Sequence, residues 1–313
     1  MNGSTVLSTD AWNAGMQGDH WVDGFQPGDQ VKAIPYDIFD GKLTGQTVME
    51  SDNPTNNTLN LAIYSYGWVD FTFPYAAGWS LVGSGLVDGS GKSQEVWINT
   101  STGKLSFWTI ACTGTITFGR LDQLDCSQGV NKTVNAPAGY TPFLADLNGD
   151  GIIDIVWTGP KRAIQYWINN GDGTFKKTDG DTAAPAGFDL VGAGEIAGSG
   201  KTDLIWANAS TGKVRWWVMD GTTVASDTAM AAPSGYSVAT IEDFNGDGLA
   251  DLLFTNAKGA AYLWQGTGNG FIAQQVADGT GTAFKVPKGY TVQFNRLQGV
   301  ANPATATQVA SLK

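Results

Sequence analysis

The sequence predicts an all-β protein made of repeated four-stranded units, because three aromatic markers recur along it in the same phase. The first marker is Pro, one to three other residues, Gly and an aromatic residue, at Tyr140, Phe188, Tyr236 and Tyr290, with a looser copy at Trp79. The second ends a short apolar stretch, at Trp97, Trp157, Trp206 and Phe254. The third follows at Trp108, Trp167, Trp217 and Trp264. Each unit of about 48 residues is rich in strand signals, so we expect a β-propeller, with a solenoid as the alternative.

The strands and turns of a unit are predicted from local residue types. Residues 152–157 and 163–168 are β-branched and aromatic and are bounded by Gly and Pro, as strands are. Residues 100–104 and 209–213 have the small and polar composition of hairpin turns. The recurring Trp positions favour packing between blades. Trp216 precedes Trp217 on one strand and must face the other way, so we expect it to be exposed and to be a ligand-binding candidate.

The marker positions predict one propeller domain, 1–313, with about six blades, although five or seven stay open. The predicted divisions are a divergent blade 15–77, a blade 78–138 with an insertion, blades 139–186, 187–234 and 235–288, and a closing blade formed by 289–313 with 1–14. A shared last blade is expected because a ring must close.

Two cysteines lie in the longest repeat. The simplest interpretation is an inserted loop closed by a Cys112–Cys126 disulfide, and the alternative is two buried free thiols. A disulfide implies an oxidising compartment, so we expect an extracellular or cell-surface protein. The first five residues have neither a basic start nor an apolar stretch, so either the protein stays inside or its export signal has been removed, and the expected disulfide favours removal. No apolar run approaches the ~18–20 residues of a membrane span.

Composition excludes several functions. The formal charge is −11, from 29 acidic and 18 basic residues, so a nucleic-acid partner is not expected. His20 is the only histidine, which argues against a His-based zinc site and against a Ser-His-Asp triad, and His20 itself is interpreted as an ordinary loop or edge residue.

Two segments carry closely spaced carboxylates. Oxygen-bearing side chains stand at positions one, three, five and nine of each, and Gly stands at four and six: they are Asp146, Asn148, Asp150 and Asp154, and Asp243, Asn245, Asp247 and Asp251. Hard oxygen donors at alternate positions suit Ca²⁺, with the backbone carbonyls of Ile152 and Leu249 at position seven completing the ligands. We therefore expect two calcium turns between strands, and the alternative is a pair of solvated turns rich in Asp, Asn and Gly. The corresponding segments 195–203 and 86–94 have lost ligands, and Lys201 or Lys92 is expected to supply the positive charge there.

At 144–157 and 166–175 the sequence resembles the FG-GAP/VCBS repeat, the blade unit of integrin-α-like propellers and of many secreted bacterial proteins. The resemblance covers 78–290 well and 15–77 weakly. It implies a propeller whose calcium loops join the first two strands of a blade. Its known roles include adhesion, carbohydrate binding, assembly scaffolds and accessory domains of enzymes.

Three functions follow as hypotheses. The first is a non-catalytic recognition or adhesion module that binds a glycan or an extracellular protein. The second is a structural subunit of a fibre or larger assembly, through self-association. A polysaccharide-active enzyme or its accessory domain is third, because the best Asp clusters are better explained by calcium.

Overall fold

The computed structural model describes residues 30–33, 47–53, 56–64, 68–117, 120–276, 292–293 and 311–312. This part of the chain is almost entirely β-structure, and its one helical element is the three-residue 3-10 turn Pro160–Arg162. None of its helices is long and apolar enough to span a membrane. His20 and Tyr290 lie outside the described residues.

The described strands fall into two compact units. One unit contains sheets I and II. Sheet I consists of β1 (Gln30–Ala33), β2 (Thr47–Asn53), β3 (Thr58–Tyr64) and β4 (Trp68–Pro74), and sheet II of β5 (Ser80–Leu86), β6 (Ser93–Asn99), β7 (Lys104–Thr117) and β8 (Arg120–Asn135). Each is an antiparallel meander in chain order.

The other unit contains sheets III, IV and V, which repeat the same meander. Sheet III consists of β9 (Thr141–Ala145), β10 (Asp154–Thr158), β11 (Ile164–Asn169) and β12 (Phe175–Asp179). Sheet IV consists of β13 (Asp189–Gly194), β14 (Asp203–Asn208), β15 (Lys213–Asp220) and β16 (Thr223–Ala231). Sheet V consists of β17 (Tyr236–Glu242), β18 (Asp251–Asn256), β19 (Ala261–Gly266) and β20 (Phe271–Gln275).

The prediction of four-stranded propeller blades is confirmed, but six such blades are not supported. The described residues form five four-stranded sheets and one two-stranded sheet, in which β21 (Val292–Gln293) pairs with β22 (Ser311–Leu312). β21 lies beside β17. The proposed contribution of residues 1–14 to a closing blade lies outside the described residues.

Sheets III, IV and V are arranged as consecutive blades, because β13 lies next to both β9 and β17. Two glycines of β13 allow this strand to approach sheet V closely. A Cβ on Gly192 would lie 2.6 Å from Cδ1 of Ile241, and a Cβ on Gly194 would lie 2.6 Å from Cβ of Ala250. Larger residues at these two positions would therefore push β13 away from sheet V.

The recurring aromatic residues fill the layers between these sheets, as predicted. Trp206 and Trp217 have ring centroids 4.9 Å apart and pack against sheet III through Val156 and Tyr166. Phe254 and Trp264 form the corresponding pair in sheet V, with centroids 4.7 Å apart.

The expected exposure of Trp216 is wrong. Only 4% of its surface is exposed, and its ring meets Phe271 of sheet V edge-on with centroids 5.1 Å apart. Trp216 and Trp217 do face opposite ways, but sheet IV is covered by a neighbouring sheet on each side. The alternation that suggested an exposed ring instead gives two buried rings.

The predicted disulfide between Cys112 and Cys126 is present. It closes an extended hairpin rather than an inserted loop. β6 pairs with β7 only as far as Thr109, and beyond that residue β7 and β8 continue as a two-stranded ribbon in which Cys112 and Cys126 stand directly opposite each other. The additional length of this repeat is therefore mainly strand.

Removing the disulfide by Cys112→Ala together with Cys126→Ala is expected to lower the free energy of unfolding by about 3 kcal/mol, since a closed loop of about 15 residues restricts the unfolded chain. Urea unfolding of the variant and the wild type measures the difference. Equal midpoints for the two proteins would show that the bridge adds no stability.

Candidate functional site

Three turns lie side by side at one edge of sheets III, IV and V. They are residues 146–153, 195–202 and 243–250, here called the first acidic turn, the middle turn and the second acidic turn, and each joins the first two strands of its sheet. The amide of Thr202 donates to the carbonyl of Asp146 at 2.7 Å, and the amide of Ala250 donates to the carbonyl of Glu195 at 2.6 Å. These bonds join the turns into one continuous row, here called the turn edge.

The first acidic turn is folded around the carboxylate of Asp146, which is 3% exposed. That carboxylate accepts hydrogen bonds from the amides of Gly149, Asp150 and Gly151 at 2.8, 3.1 and 2.8 Å. Asn148 Oδ1 accepts the Asp150 amide at 3.1 Å, and Asp150 Oδ1 accepts the Ile152 amide at 2.8 Å. Gly149 and Gly151 have φ of 78° and 80°, which explains the glycines at positions four and six.

The second acidic turn repeats this pattern. Asp243 accepts hydrogen bonds from the amides of Gly246, Asp247 and Gly248, Asn245 from Asp247, and Asp247 from Leu249. The structure thus brings together the predicted side chains at positions one, three and five of each turn. Metal ligation by the carbonyls of Ile152 and Leu249 stays a prediction.

The Asp at position nine has a structural role that sequence reasoning missed. Asp154 accepts the amide of Leu147 at 2.9 Å with one oxygen and the amide of Asn169 at 2.8 Å with the other, so it ties the turn to β11. Asp251 does the same with Phe244 and Gly266, at 3.0 and 2.8 Å.

The middle turn keeps this tie although its other ligands have changed. Asp203 accepts the amides of Ile196 and Ala197 at 2.8 and 3.1 Å and that of Met219 at 2.8 Å. In sheet II, Gln94 Oε1 accepts the Val87 amide at 2.8 Å. The presence of Asp203 in a turn that had lost position three was the available signal for a role independent of metal.

Lys201 does not supply charge to the carboxylate at the start of its own turn. Its ammonium group bonds Asp220 at the end of β15, at 2.5 Å. Ser199 instead donates to Glu195, at 3.5 Å. In sheet II, the predicted charge from Lys92 has no matching ion pair among the described residues, where the Lys92 amide donates to the Ser90 hydroxyl.

The two acidic turns offer the kind of donor that Ca²⁺ prefers, namely carboxylate and side-chain amide oxygens. A carboxylate has about four acceptor sites, and Asp146 uses three of them on backbone amides. Within the described part of the chain, however, no three side chains of His, Cys, Asp or Glu gather closely enough to hold one metal ion. The residues therefore fit calcium by their donor chemistry, and the hydrogen bonds described above organise the turns.

Burial raises the pKa of the position-nine carboxyl groups. The pKa of Asp154 is raised to about 7, chiefly by burial, with repulsion from Asp150 and Asp146 adding to it. Burial also raises the pKa of Asp251 to about 6, with repulsion from Asp247 and Asp243. The pKa of Asp203 is raised to about 6 by burial, although its backbone hydrogen bonds oppose the shift.

These raised pKa values predict that the free energy of unfolding depends on pH, and substitution of Asp203 allows one contribution to be measured. Between its ordinary pKa near 3.9 and about 6, the folded carboxyl group binds a proton that the unfolded one does not. The contribution of Asp203 to stability is therefore present at low pH, falls as pH rises through this window, and is level above it. Urea unfolding of the wild type and Asp203→Asn at pH 4.5 and 7.5 should show the smaller change in the variant. An identical pH dependence would contradict the prediction.

The opposite edge of sheets III, IV and V, here called the aromatic edge, carries the first sequence marker. Tyr140, Phe188 and Tyr236 stand at the starts of the innermost strands β9, β13 and β17, and all three are partly exposed. Tyr140 lies against Gly159, where a Cβ would come within 2.3 Å of the ring. The Arg215 guanidinium lies 5.2 Å from the Phe188 ring centroid.

Two stretches of the chain are similar to the FG-GAP-like repeat. Residues 146–193 and 196–254, roughly a third of the chain, match the sequence profile of this repeat, so the resemblance is confirmed over these ranges. No curated protein sequence matches the chain significantly.

Several solved structures have a similar backbone. The Photorhabdus luminescens Tc holotoxin pore is 18% identical with a TM-score of 0.49, and the match covers 91% of this chain but 14% of the toxin chain. A mutant of AofleA from Arthrobotrys oligospora is 13% identical with a TM-score of 0.48, covering 87% and 77% of the two chains. A protein from Lactobacillus plantarum is 14% identical with a TM-score of 0.47, covering 73% and 67%. These similarities are too low to indicate a function.

Proposed function

We propose that the protein is a non-catalytic recognition module, secreted or at the cell surface, that binds a glycan or an extracellular protein through the aromatic edge. The observation that carries this proposal is the repetition of one partly exposed aromatic side chain per sheet, each followed by an exposed polar residue. The three pairs are Tyr140 with Thr141, Phe188 with Asp189, and Tyr236 with Ser237. An aromatic face can pack on the apolar face of a sugar or of a partner side chain, while the polar neighbour bonds a hydroxyl group.

The proposal is tested with Tyr140→Ala, Phe188→Ala and Tyr236→Ala on an array of neutral and acidic glycans, followed by titration of the glycans retained. We expect each variant to weaken binding. The matched control is Ile272→Ala, which removes an apolar side chain that is 59% exposed on β20, away from this edge. Retention of binding in all three aromatic variants would exclude the aromatic edge.

Calcium binding at the two acidic turns is part of the proposal. Their carboxylate and amide oxygens are suitable donors, and the mutual repulsion of Asp146, Asp150 and Asp154 would be relieved by a cation. Oxidation of Cys112 and Cys126 supports an extracellular setting, since disulfides persist in oxidising compartments.

Chelation of calcium is expected to lower the melting temperature, because an ion held only by the folded protein stabilises it by mass action. Differential scanning calorimetry with CaCl₂ or with EDTA, at one fixed pH, measures the shift. Asp150→Asn with Asp247→Asn should reduce the calcium-dependent shift. An unchanged melting temperature after exhaustive dialysis against EDTA would contradict a stabilising metal.

Self-association is a second candidate, favoured by strand β16. This nine-residue strand pairs only with β15, so its other edge is unpaired within sheet IV, and all its residues except Val224 are exposed. Such an edge can add a strand from another chain. Sedimentation of the wild type and of Thr228→Pro over a range of concentrations tests this: assembly should occur only in the wild type, and a wild type that stays monomeric argues against it.

A further inference from the structure

The turn between the second and third strands of sheet III differs from its counterparts. In sheets II, IV and V this turn contains a glycine in the left-handed region, Gly103, Gly212 and Gly259, with φ of 62°, 61° and 78°. In sheet III the left-handed positions are Lys161 and Arg162, with φ of 57° and 65°. Side chains with a Cβ are disfavoured there, so this turn holds two cations at an energetic cost that its counterparts in sheets II, IV and V avoid.

Hydrogen bonds to the segment that leads into sheet IV fix Arg162. The carbonyl of Arg162 accepts the Ala184 amide at 2.9 Å, and Arg162 Nη1 donates to the Ala184 carbonyl at 3.1 Å. These two bonds hold both the backbone and the guanidinium group. Lys161 is exposed beside it.

The two cations lie next to an aromatic ring of the proposed binding edge. The Tyr140 ring lies directly over Gly159, two residues before Lys161, and Pro160 would be 3.5 Å from a Cβ on Gly139. One partly exposed aromatic ring and two cationic side chains therefore occupy the same corner of the aromatic edge, here called the basic corner.

The charges of the basic corner are available to a ligand. Among the described residues, Lys201 is paired with Asp220 and Arg215 with Asp227, whereas neither Lys161 nor Arg162 forms an ion pair. Asp181 and Asp189 are exposed on the segment leading into sheet IV and at its end, but they do not bond either cation. In a chain of net charge −11, two adjacent unpaired cations in a disfavoured backbone conformation require an explanation.

We propose that the basic corner binds the anionic group of an acidic saccharide, with the Lys161 ammonium and the Arg162 guanidinium on a carboxylate or sulfate and the Tyr140 ring against the sugar. This inference rests on the proposed recognition function and names its ligand class. Arginine suits such a group because its fork of N–H donors matches two oxygens of a planar or tetrahedral anion.

The test compares binding of oligogalacturonate, dextran sulfate and neutral dextran by the full chain, using isothermal calorimetry or biolayer interferometry. The key variant is Lys161→Gly with Arg162→Gly, because glycine adopts the left-handed conformation readily and the turn should keep its shape. Its melting temperature should stay close to that of the wild type, because relief of the left-handed strain offsets the loss of the Arg162 side-chain bond to Ala184. The matched control, Lys176→Ala with Lys177→Ala, removes the same charge from an adjacent exposed pair on β12, away from the aromatic edge.

We expect the glycine variant to lose at least tenfold in affinity for the carboxylated or the sulfated ligand, whichever the wild type prefers, while the control changes less than twofold. A glycine variant that binds as tightly as the wild type overturns the inference, and so does an equal loss in the control. If neutral glycans bind through Tyr140, Phe188 and Tyr236 but the acidic ones do not, the recognition function stands and the acidic class is wrong. If neither kind binds, the acidic class and glycan recognition as a whole are overturned.

Discussion

Replacing Asp203 by alanine is expected to lower the free energy of unfolding by at least about 3 kcal/mol, because two buried backbone amides and one partly buried amide lose their acceptor at about 1–3 kcal/mol each. Those amides belong to Ile196, Ala197 and Met219, and the carboxylate that they bond is 0% exposed. Its loss releases the middle turn from β15. Urea unfolding followed by Trp fluorescence provides the measurement.

Two further variants distinguish the loss of these hydrogen bonds from a general effect of removing a charge. Asp203→Asn keeps one acceptor oxygen and should cost less, as Gln94 in sheet II makes the equivalent bond to Val87 with an amide oxygen. Asp189→Ala removes an exposed carboxylate and should stay within about 0.5 kcal/mol of the wild type. A similar loss in the Asp203 and Asp189 alanine variants would contradict the structural role assigned to position nine.

The second large effect is expected for Trp206→Ala, which should cost about 3–5 kcal/mol because it leaves a cavity the size of an indole ring. Trp206 is 1% exposed, and it packs on Trp217 and against sheet III. The cavity would lie between two sheets, so the loss weakens their packing as well as the core of sheet IV. Calorimetry and urea unfolding both measure this loss.

Trp206→Phe is the matched variant, since Phe254 takes this position in sheet V and packs on Trp264 in the same manner. Trp206 Nε1 has no hydrogen-bond partner within the described part of the chain, so phenylalanine gives up volume but no hydrogen bond. We expect a loss well below that of the alanine variant. Equal losses of stability in the two variants would mean that a phenyl ring at this position restores none of the packing lost with the indole.

Repeated residues made much of the fold predictable, since the three aromatic markers locate the strands without any knowledge of distant contacts. The predictions that failed were those that depend on which residues are neighbours in space. The alternation of Trp216 and Trp217 was correct, but it cannot say whether the second face meets solvent or another sheet. The length of the Cys112–Cys126 repeat signalled an addition, but not that the addition pairs with itself as strand.

The acidic turns were predictable in position and in residue type, because glycines at fixed offsets from carboxylates form a local pattern. The different roles of the carboxylates within each turn were not predictable. Asp154 and Asp146 look alike in sequence, yet Asp154 bonds β11 whereas Asp146 organises its own turn. In the sequence, Lys161 and Arg162 look like ordinary exposed turn residues, and their left-handed backbone angles distinguish that turn from its counterparts in sheets II, IV and V.

The backbone bonds between neighbouring turns have a consequence for hydrogen exchange. Thr202 donates to the first acidic turn and Ala250 to the middle turn, so opening one turn frees an amide that belongs to the next. The amides along the turn edge should therefore exchange with deuterium as one cooperative unit rather than sheet by sheet. A mutation that loosens the first acidic turn should therefore also speed deuterium exchange at the Ala250 amide, although that amide is bonded to the middle turn.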